Sequence, residues 1–214
     1  MRALIVAMMC SATLAGSRLG SESPAPQARD RGPARTPLHD FRVRLDTSKG
    51  PIVIAVHRDW APRGADRFHE LVTARYFDDS RFFRVVKGQW AQFGIAGNPA
   101  LAARWRTRSI PDDAPKQSNV RGRVAFAFKE PGGRTAQIYI SLRDNSYQDA
   151  QGFVPFGEVV EGMAVADALN SEYGERSGGG IRAGKQQPLF DGGNAYLDRE
   201  YPRLDRLLEA RVIP

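Results

Sequence analysis

The chain of 214 residues carries one cysteine, Cys10, near its start. Disulfides, thiolate nucleophiles and cysteine-bound metals are therefore excluded from everything downstream of it. Histidine is almost as scarce. His39, His57 and His69 are scattered with no two at metal-ligand spacing, so they read as surface or hydrogen-bonded groups and no metal site is expected. Ser141 and Ser146 have no histidine at a recognisable position, so a hydrolase lacks its general base. No apolar run approaches the ~20 residues that a membrane-spanning helix needs. The strand–helix–strand rhythm of a parallel sheet is also missing.

What the chain does have begins with its first residues. Met1 and Arg2 give a positive start, Ala3 to Met9 are apolar, and small residues run from Ser11 to Ser17. That order is the pattern of a cleaved secretory signal over residues 1–17. Residues 18–38 include Pro24, Pro26, Pro33 and Pro37 with few large apolar side chains, which predicts a disordered linker. The 31 basic and 24 acidic residues leave a net charge of +7, and Arg29, Arg31 and Arg35 place part of it in that linker. A solvated basic tail is the plain reading, and a tether to an anionic surface is the alternative. Export and the lack of a basic–aromatic recognition motif argue against nucleic acid as a partner. The expectation is a monomer, periplasmic or extracellular, not inserted in a membrane after signal cleavage, with one folded domain over residues 39–214.

Within that domain Phe41, Val43 and Leu45 alternate with polar residues, Thr47 to Gly50 turns, and Ile52, Ile54 and Val56 alternate again. This predicts a β-hairpin with one buried face. A helix follows with Pro62 in its first turn and Ala61, Ala65, Phe68, Leu71 and Val72 as its apolar stripe. Further strands are predicted at 81–87, 90–94, 122–128, 137–142 and 153–160, with a short helix from Glu161 to about Leu169. Residues 95–121 read as an irregular excursion. The Gly-rich segment 171–194 leads to a partly helical stretch, Leu197–Ala210, and a last strand, Arg211–Pro214. Many short strands with two helices indicate an antiparallel barrel or sandwich.

Two further stretches invite a chemical reading. Gly179 to Gln186 matches most of a phosphate-loop pattern, but no Ser or Thr follows Lys185 and no apolar strand precedes it, so a surface loop is expected. Asp112 and Asp113 beside Pro111 read as a turn, not as a carboxylate dyad.

The most informative stretch runs from Phe82 to Gly94. Arg84, Trp90 and Gln92 all fall at even positions, so two extended segments around Lys87-Gly88 present a cation, an indole and an amide on one face. Arg84 is bracketed by Phe83 and Val85, where an apolar pocket keeps one fixed donor. Such a face suits a site that grips a peptide.

From about Phe41 to Leu169 the chain resembles the cyclophilins, a family of peptidyl-prolyl isomerases. The resemblance rests on ordered blocks: Tyr76-Phe77-Asp78, Phe83-Arg84-Val85-Val86, Gln92-Phe93-Gly94, Gln137-Ile138-Tyr139-Ile140 and Phe156-Gly157-Glu158-Val159-Val160-Glu161-Gly162-Met163. It implies a mainly β fold, a closed antiparallel eight-stranded barrel capped by two α-helices. It implies rotation of X-Pro bonds, in the folding of exported proteins, with no cofactor and no metal. Arg84 matches the catalytic arginine and Gln92 its glutamine partner. Phe83, Trp90, Ala127, Phe128, Gln137, Tyr139 and Phe153 match substrate-binding positions. Gln89, Phe128, Phe153 and Asp149 depart from the family pattern, and they leave a non-catalytic proline-peptide-binding module or chaperone as the alternative.

Overall fold

In a computed structural model the described residues are 39–180 and 185–214. The expected leader and linker, and Ile181 to Gly184 of the phosphate-loop-like stretch, lie outside them. The described residues form nine strands: β1 Phe41–Thr47, β2 Gly50–Val56, β3 Ser80–Arg81, β4 Arg84–Val86, β5 Trp90–Phe93, β6 Arg123–Phe126, β7 Ile138–Ser141, β8 Pro155–Glu161 and β9 Arg206–Ile213. Their helices are α1 Pro62–Thr73, α2 Pro99–Arg106, α3 Met163–Asp167 and α4 Gln187–Glu200.

All strands belong to one antiparallel sheet in the order β3-β9-β1-β2-β8-β6-β7-β5-β4. The two ends of this order, β3 and β4, are consecutive in the chain and separated only by Phe82 and Phe83. The sheet therefore curls so that its two edges are joined by the chain itself, although β3 and β4 are not paired with each other. Taken as one bent strand, Ser80–Val86 restores the expected count of eight. The bend divides the predicted 81–87 strand because Arg81 pairs with Arg206 of β9 whereas Arg84 pairs with Gln92 of β5.

The β1–β2 hairpin forms as its alternation requires, with Thr47 opposite Gly50 and Val43, Leu45, Ile52, Ile54 and Val56 all fully buried. The α1 stripe buries Ala65, Phe68, Leu71 and Val72. Its rings continue a chain of aromatic contacts: Phe126 to Phe156, Phe156 to Phe68, Phe68 to Phe77, Phe77 to Phe93 and Phe93 to Phe82, with centroids 5.0–5.7 Å apart. Each fully buried phenylalanine contributes roughly 1.5–3 kcal/mol from removal of its surface from water. This core fills the barrel under the strands that carry the even-numbered face.

No side chain caps α1 from its own sequence. Asp113 does so across the fold, its carboxylate accepting from Arg63 N at 3.1 Å and Gly64 N at 2.9 Å. The negative charge lies at the positive end of the helix dipole. Asp113 and Asp112 also take the Nη1 and Nε donors of Arg134, a side chain 1 % exposed. The Asp pair is thus a clamp that seats the excursion on α1.

The excursion is less irregular than its sequence suggests. It contains α2, started by Asn98, whose Oδ1 accepts from Ala100 N and Leu101 N, with Pro99 in the first turn. A second difference lies at the C-terminus. The helix there is Gln187–Glu200, and the last strand is eight residues long, because Val43 and Leu45 of β1 select Val212 and Ala210 as partners. Among the described residues four α-helices stand where two helices and a partly helical stretch were expected. Gly193 kinks α4 with φ 52° and approaches Gly97, whose carbonyl oxygen would lie 2.2 Å from any added Cβ.

Candidate active site

Strands β4, β5, β6 and β7 carry the site. Cross-strand register pairs Arg84 with Gln92, Val86 with Trp90 and Gln92 with Tyr139. Since the period is two, Phe83, Val85, Ala91 and Phe93 turn into the barrel core while Arg84, Trp90 and Gln92 face outward into a cleft of about 630 Å³. The cleft is also lined by Ala127, Phe128, Gln137, Tyr139 and Phe153. Phe83 is the exception among the predicted site residues. It is fully buried in the main core and contributes a backbone carbonyl, not a ring facing the cleft.

Arg84 is 7 % exposed and heavily bonded. Its Nη1 donates to Gln92 Oε1 at 2.7 Å, and its Nε and Nη2 donate to the two carboxylate oxygens of Glu175 at 2.8 and 2.9 Å. The guanidinium carbon lies 5.1 Å from the Trp90 ring centroid, in range for a cation–π contact. Arginine has five N–H donors and no acceptor. Three are used here, which leaves one N–H on each terminal nitrogen with no partner among the described residues.

The amides beyond Arg84 are oriented by it. Because arginine only donates, Gln92 must present its oxygen, and its Nε2 then donates to Gln137 Oε1 at 2.8 Å. Gln137 Nε2 in turn donates to Gln186 Oε1 at 2.8 Å, with a return bond from Gln186 Nε2 at 3.2 Å. One cation thereby sets the direction of three amides.

Beside this polar row lies a small apolar cluster distinct from the main core: Trp90, Ala125 and Tyr139, with Val86, Ala127 and Phe153 packed against it. Phe153 stands edge-on to Tyr139 at 5.7 Å and stacks on Phe128 at 4.5 Å. The Tyr139 hydroxyl donates to Asn119 Oδ1 at 2.6 Å, and Asn119 Nδ2 donates to Asp149 Oδ1 and to the Phe153 carbonyl, both at 2.7 Å. Burial pushes the Tyr139 phenol well above its ordinary value, helped by the charges of Asp149 and Tyr147. Burial would also raise Asp149, but hydrogen bonds from the Ser118 hydroxyl and from the Asn119 side chain and backbone outweigh it and hold the carboxyl low.

Two departures from the family pattern acquire explanations. Asp149 does not line the cleft; it anchors Asn119 and through it Tyr139. Gln89 contributes its backbone carbonyl, which accepts from Leu142 N and Asn145 Nδ2, and its side chain is not part of the cleft wall. Phe128 and Phe153 do line it, as a stacked aromatic rim. Sequence reasoning missed Glu175, Gln186 and Asn119. Gln186 ends the Gly-rich stretch that reads as a surface loop, and its residue type alone gives no signal. Elsewhere, Asp40, His57 and Asp59 bring ligand-type atoms within 4.8 Å of one another, and His57 Nδ1 is already engaged by Asp40 at 3.0 Å.

The cleft is therefore an apolar pocket beside a fixed cation and a row of oriented amides. Residues 42–188 match the sequence profile of the family described as cyclophilin type peptidyl-prolyl cis-trans isomerase/CLD, and the chain belongs to that family. It is 30 % identical over 145 residues to peptidyl-prolyl cis-trans isomerase B of Escherichia coli strain K12, covering 64 % of this chain and 88 % of that protein. It is 28 % identical over 152 residues to peptidyl-prolyl cis-trans isomerase A of Dickeya dadantii strain 3937, covering 68 % and 80 %. In fold it is similar to a cyclophilin type peptidyl-prolyl cis-trans isomerase of Cryptosporidium parvum, with a TM-score of 0.59 at 16 % identity over 82 % of this chain and 99 % of that one. A second structure of the Cryptosporidium protein, in the presence of the dipeptide Ala-Pro, gives 0.58 at 17 % identity over 81 % of this chain and 99 % of that one. The chain is a peptidyl-prolyl cis-trans isomerase.

Proposed function

We propose that Arg84 is the catalytic donor of this isomerase, that Trp90, Tyr139 and Phe153 seat the prolyl ring, and that the enzyme serves unfolded proteins after export. An X-Pro bond rotates over a barrier of ~18–20 kcal/mol because amide resonance must be broken. In the twisted state the prolyl nitrogen becomes pyramidal and gains a lone pair. A fixed N–H aimed at that lone pair stabilises the twisted state more than either planar isomer, which lowers the barrier. Arginine suits the task because it stays charged and need not transfer a proton.

The observation that carries this reading is the bonding of Arg84. Gln92 and Glu175 hold it from two sides, two N–H groups are left over, and Arg84 lines a cleft whose other wall is the apolar cluster. In this reading Gln92 and Gln137, which line the cleft, hold the peptide carbonyls on either side of the rotating bond, beside Ala127 and Phe128. The structure in the presence of Ala-Pro belongs to a relative of the same fold, and it supports a proline-containing peptide as the occupant here.

Export is supported by the charged, apolar and small-residue order of residues 1–17 and by the Pro-rich stretch that follows. A reporter enzyme that is active only outside the cytoplasm, fused after residue 38, tests it. Reporter activity that depends on residues 1–17 is the expected result, and a fusion that stays inactive, or that is equally active without residues 1–17, contradicts it.

A further inference from the structure

The segment from Glu175 to Gly178 is bolted to β4 at three points, and each touches Arg84 or its neighbour. Glu175 closes both of its carboxylate oxygens on Nε and Nη2 of Arg84 at 2.8 and 2.9 Å. Ser177, fully buried, donates its hydroxyl to the Phe83 carbonyl at 2.5 Å. Gly178 lies against the Arg84 stem so closely that an added Cβ would stand 2.4 Å from Arg84 Cβ and 2.7 Å from its Cγ and Cδ. Only a residue without a side chain fits there. A two-point bridge fixes the plane of a guanidinium as well as its position, which a single amide partner does not do. The Arg84 side chain is 9 % exposed and the Glu175 side chain 36 %, so the bridge is buried at its guanidinium and open to solvent at its carboxylate.

We infer that Glu175 is a positioning residue for the isomerase reaction, holding the Arg84 guanidinium in the plane that presents its remaining N–H groups to the twisted prolyl nitrogen. Gln92 alone leaves the guanidinium free to rotate about the Nη1 bond. Glu175 removes that freedom, and Ser177 and Gly178 hold Glu175 to the strand. The inference rests on Arg84 being the catalytic donor.

The test is a double-mutant cycle in the full chain, with Arg84→Ala, Glu175→Ala and the double variant assayed for isomerisation of an Ala-Pro peptide. Affinity for that peptide and thermal unfolding are measured beside the rates. Glu175→Ala should lower kcat roughly ten- to a hundredfold, the size of effect a misplaced catalytic group produces. Peptide affinity should change by less than about twofold, because binding relies on the apolar cluster and the amides. Added to Arg84→Ala, Glu175→Ala should cost nothing further. Glu175→Gln keeps one acceptor and the side-chain volume, so it should fall between wild type and Glu175→Ala, and it decides the matter if the alanine variant does not fold. An unchanged or raised rate in Glu175→Gln and Glu175→Ala overturns the inference, as does a loss of equal size with and without Arg84. If Arg84→Ala itself leaves the rate intact, it is the assignment of Arg84 that fails.

Discussion

Arg84 and Gln92 stand directly opposite each other on β4 and β5, and the Nη1 of one donates to the Oε1 of the other at 2.7 Å. Two residues eight apart in the chain thus become one unit, because the turn between them returns the strand with the even positions in register. Gln92→Ala removes the acceptor for Arg84 and the donor to Gln137 together. Isomerisation should fall roughly ten- to a hundredfold from misplacement of the donor. A protease-coupled isomerisation assay reads the loss, and a far-ultraviolet spectrum like that of wild type shows that the barrel persists.

Asp149 acts on the pocket from behind. Asp149→Ala leaves the Ser118 hydroxyl and the Asn119 backbone N–H without their acceptor and Asn119 Nδ2 with only the Phe153 carbonyl, which costs roughly 1–3 kcal/mol of folding stability. Urea denaturation should show a lower midpoint, and the Tyr139 ring, whose Asn119 partner is then held only through the Phe153 carbonyl, should bind proline peptide more weakly.

The pH dependence follows from opposite shifts. Tyr139 is raised in the folded state, so its contribution is intact below about pH 10 and is lost as pH climbs through the folded value. Burial likewise pushes the Tyr76 phenol up to about 12. Asp149 is lowered, so its contribution is present above the ordinary carboxylate range and is lost as pH falls through the folded value. Stability measured from about pH 9 to about pH 11 should fall less steeply in Tyr139→Phe than in wild type. Equal slopes would mean that Tyr139 ionises as freely folded as unfolded.

The Asp113–Arg134 pair should be the most sensitive ion pair of the scaffold. Asp113→Ala strips the cap from α1 and leaves Arg134, 1 % exposed, short of a partner. Loss of one member of a buried pair costs roughly 3–5 kcal/mol. Thermal unfolding of Asp113→Ala should move down accordingly, while Arg84, which shares no partner with Asp113 or Arg134, keeps its bonds to Gln92 and Glu175.

The legible part of this protein was whatever repeats with a short period. Alternation marked the β1–β2 hairpin and the shared face of Arg84, Trp90 and Gln92, and helical spacing marked the buried stripe of α1. Family blocks supplied Gln137 and Tyr139, the resemblance added Phe153 as a matched pocket position, and the cleft contains all three. The same period should have moved Phe83 to the core, since it is the odd neighbour of an even site residue. What stayed hidden depends on contacts across long stretches of chain. Glu175 meets Arg84 across 91 residues and Asn119 meets Tyr139 across 20, and neither bond leaves a mark on the local pattern. The length of β9 was hidden for the same reason, because its limits are set by pairing with β1.

The central claim is that a fixed cation at Arg84 performs the isomerisation. Its most direct test is the isomerisation rate of residues 36–214 against that of the same chain with Arg84→Ala, beside the affinity of each for an Ala-Pro peptide. The rate should fall by one to three orders of magnitude, roughly 1.4–4 kcal/mol of barrier, with the fold and most of the peptide affinity retained. Equal rates in the two proteins would contradict it.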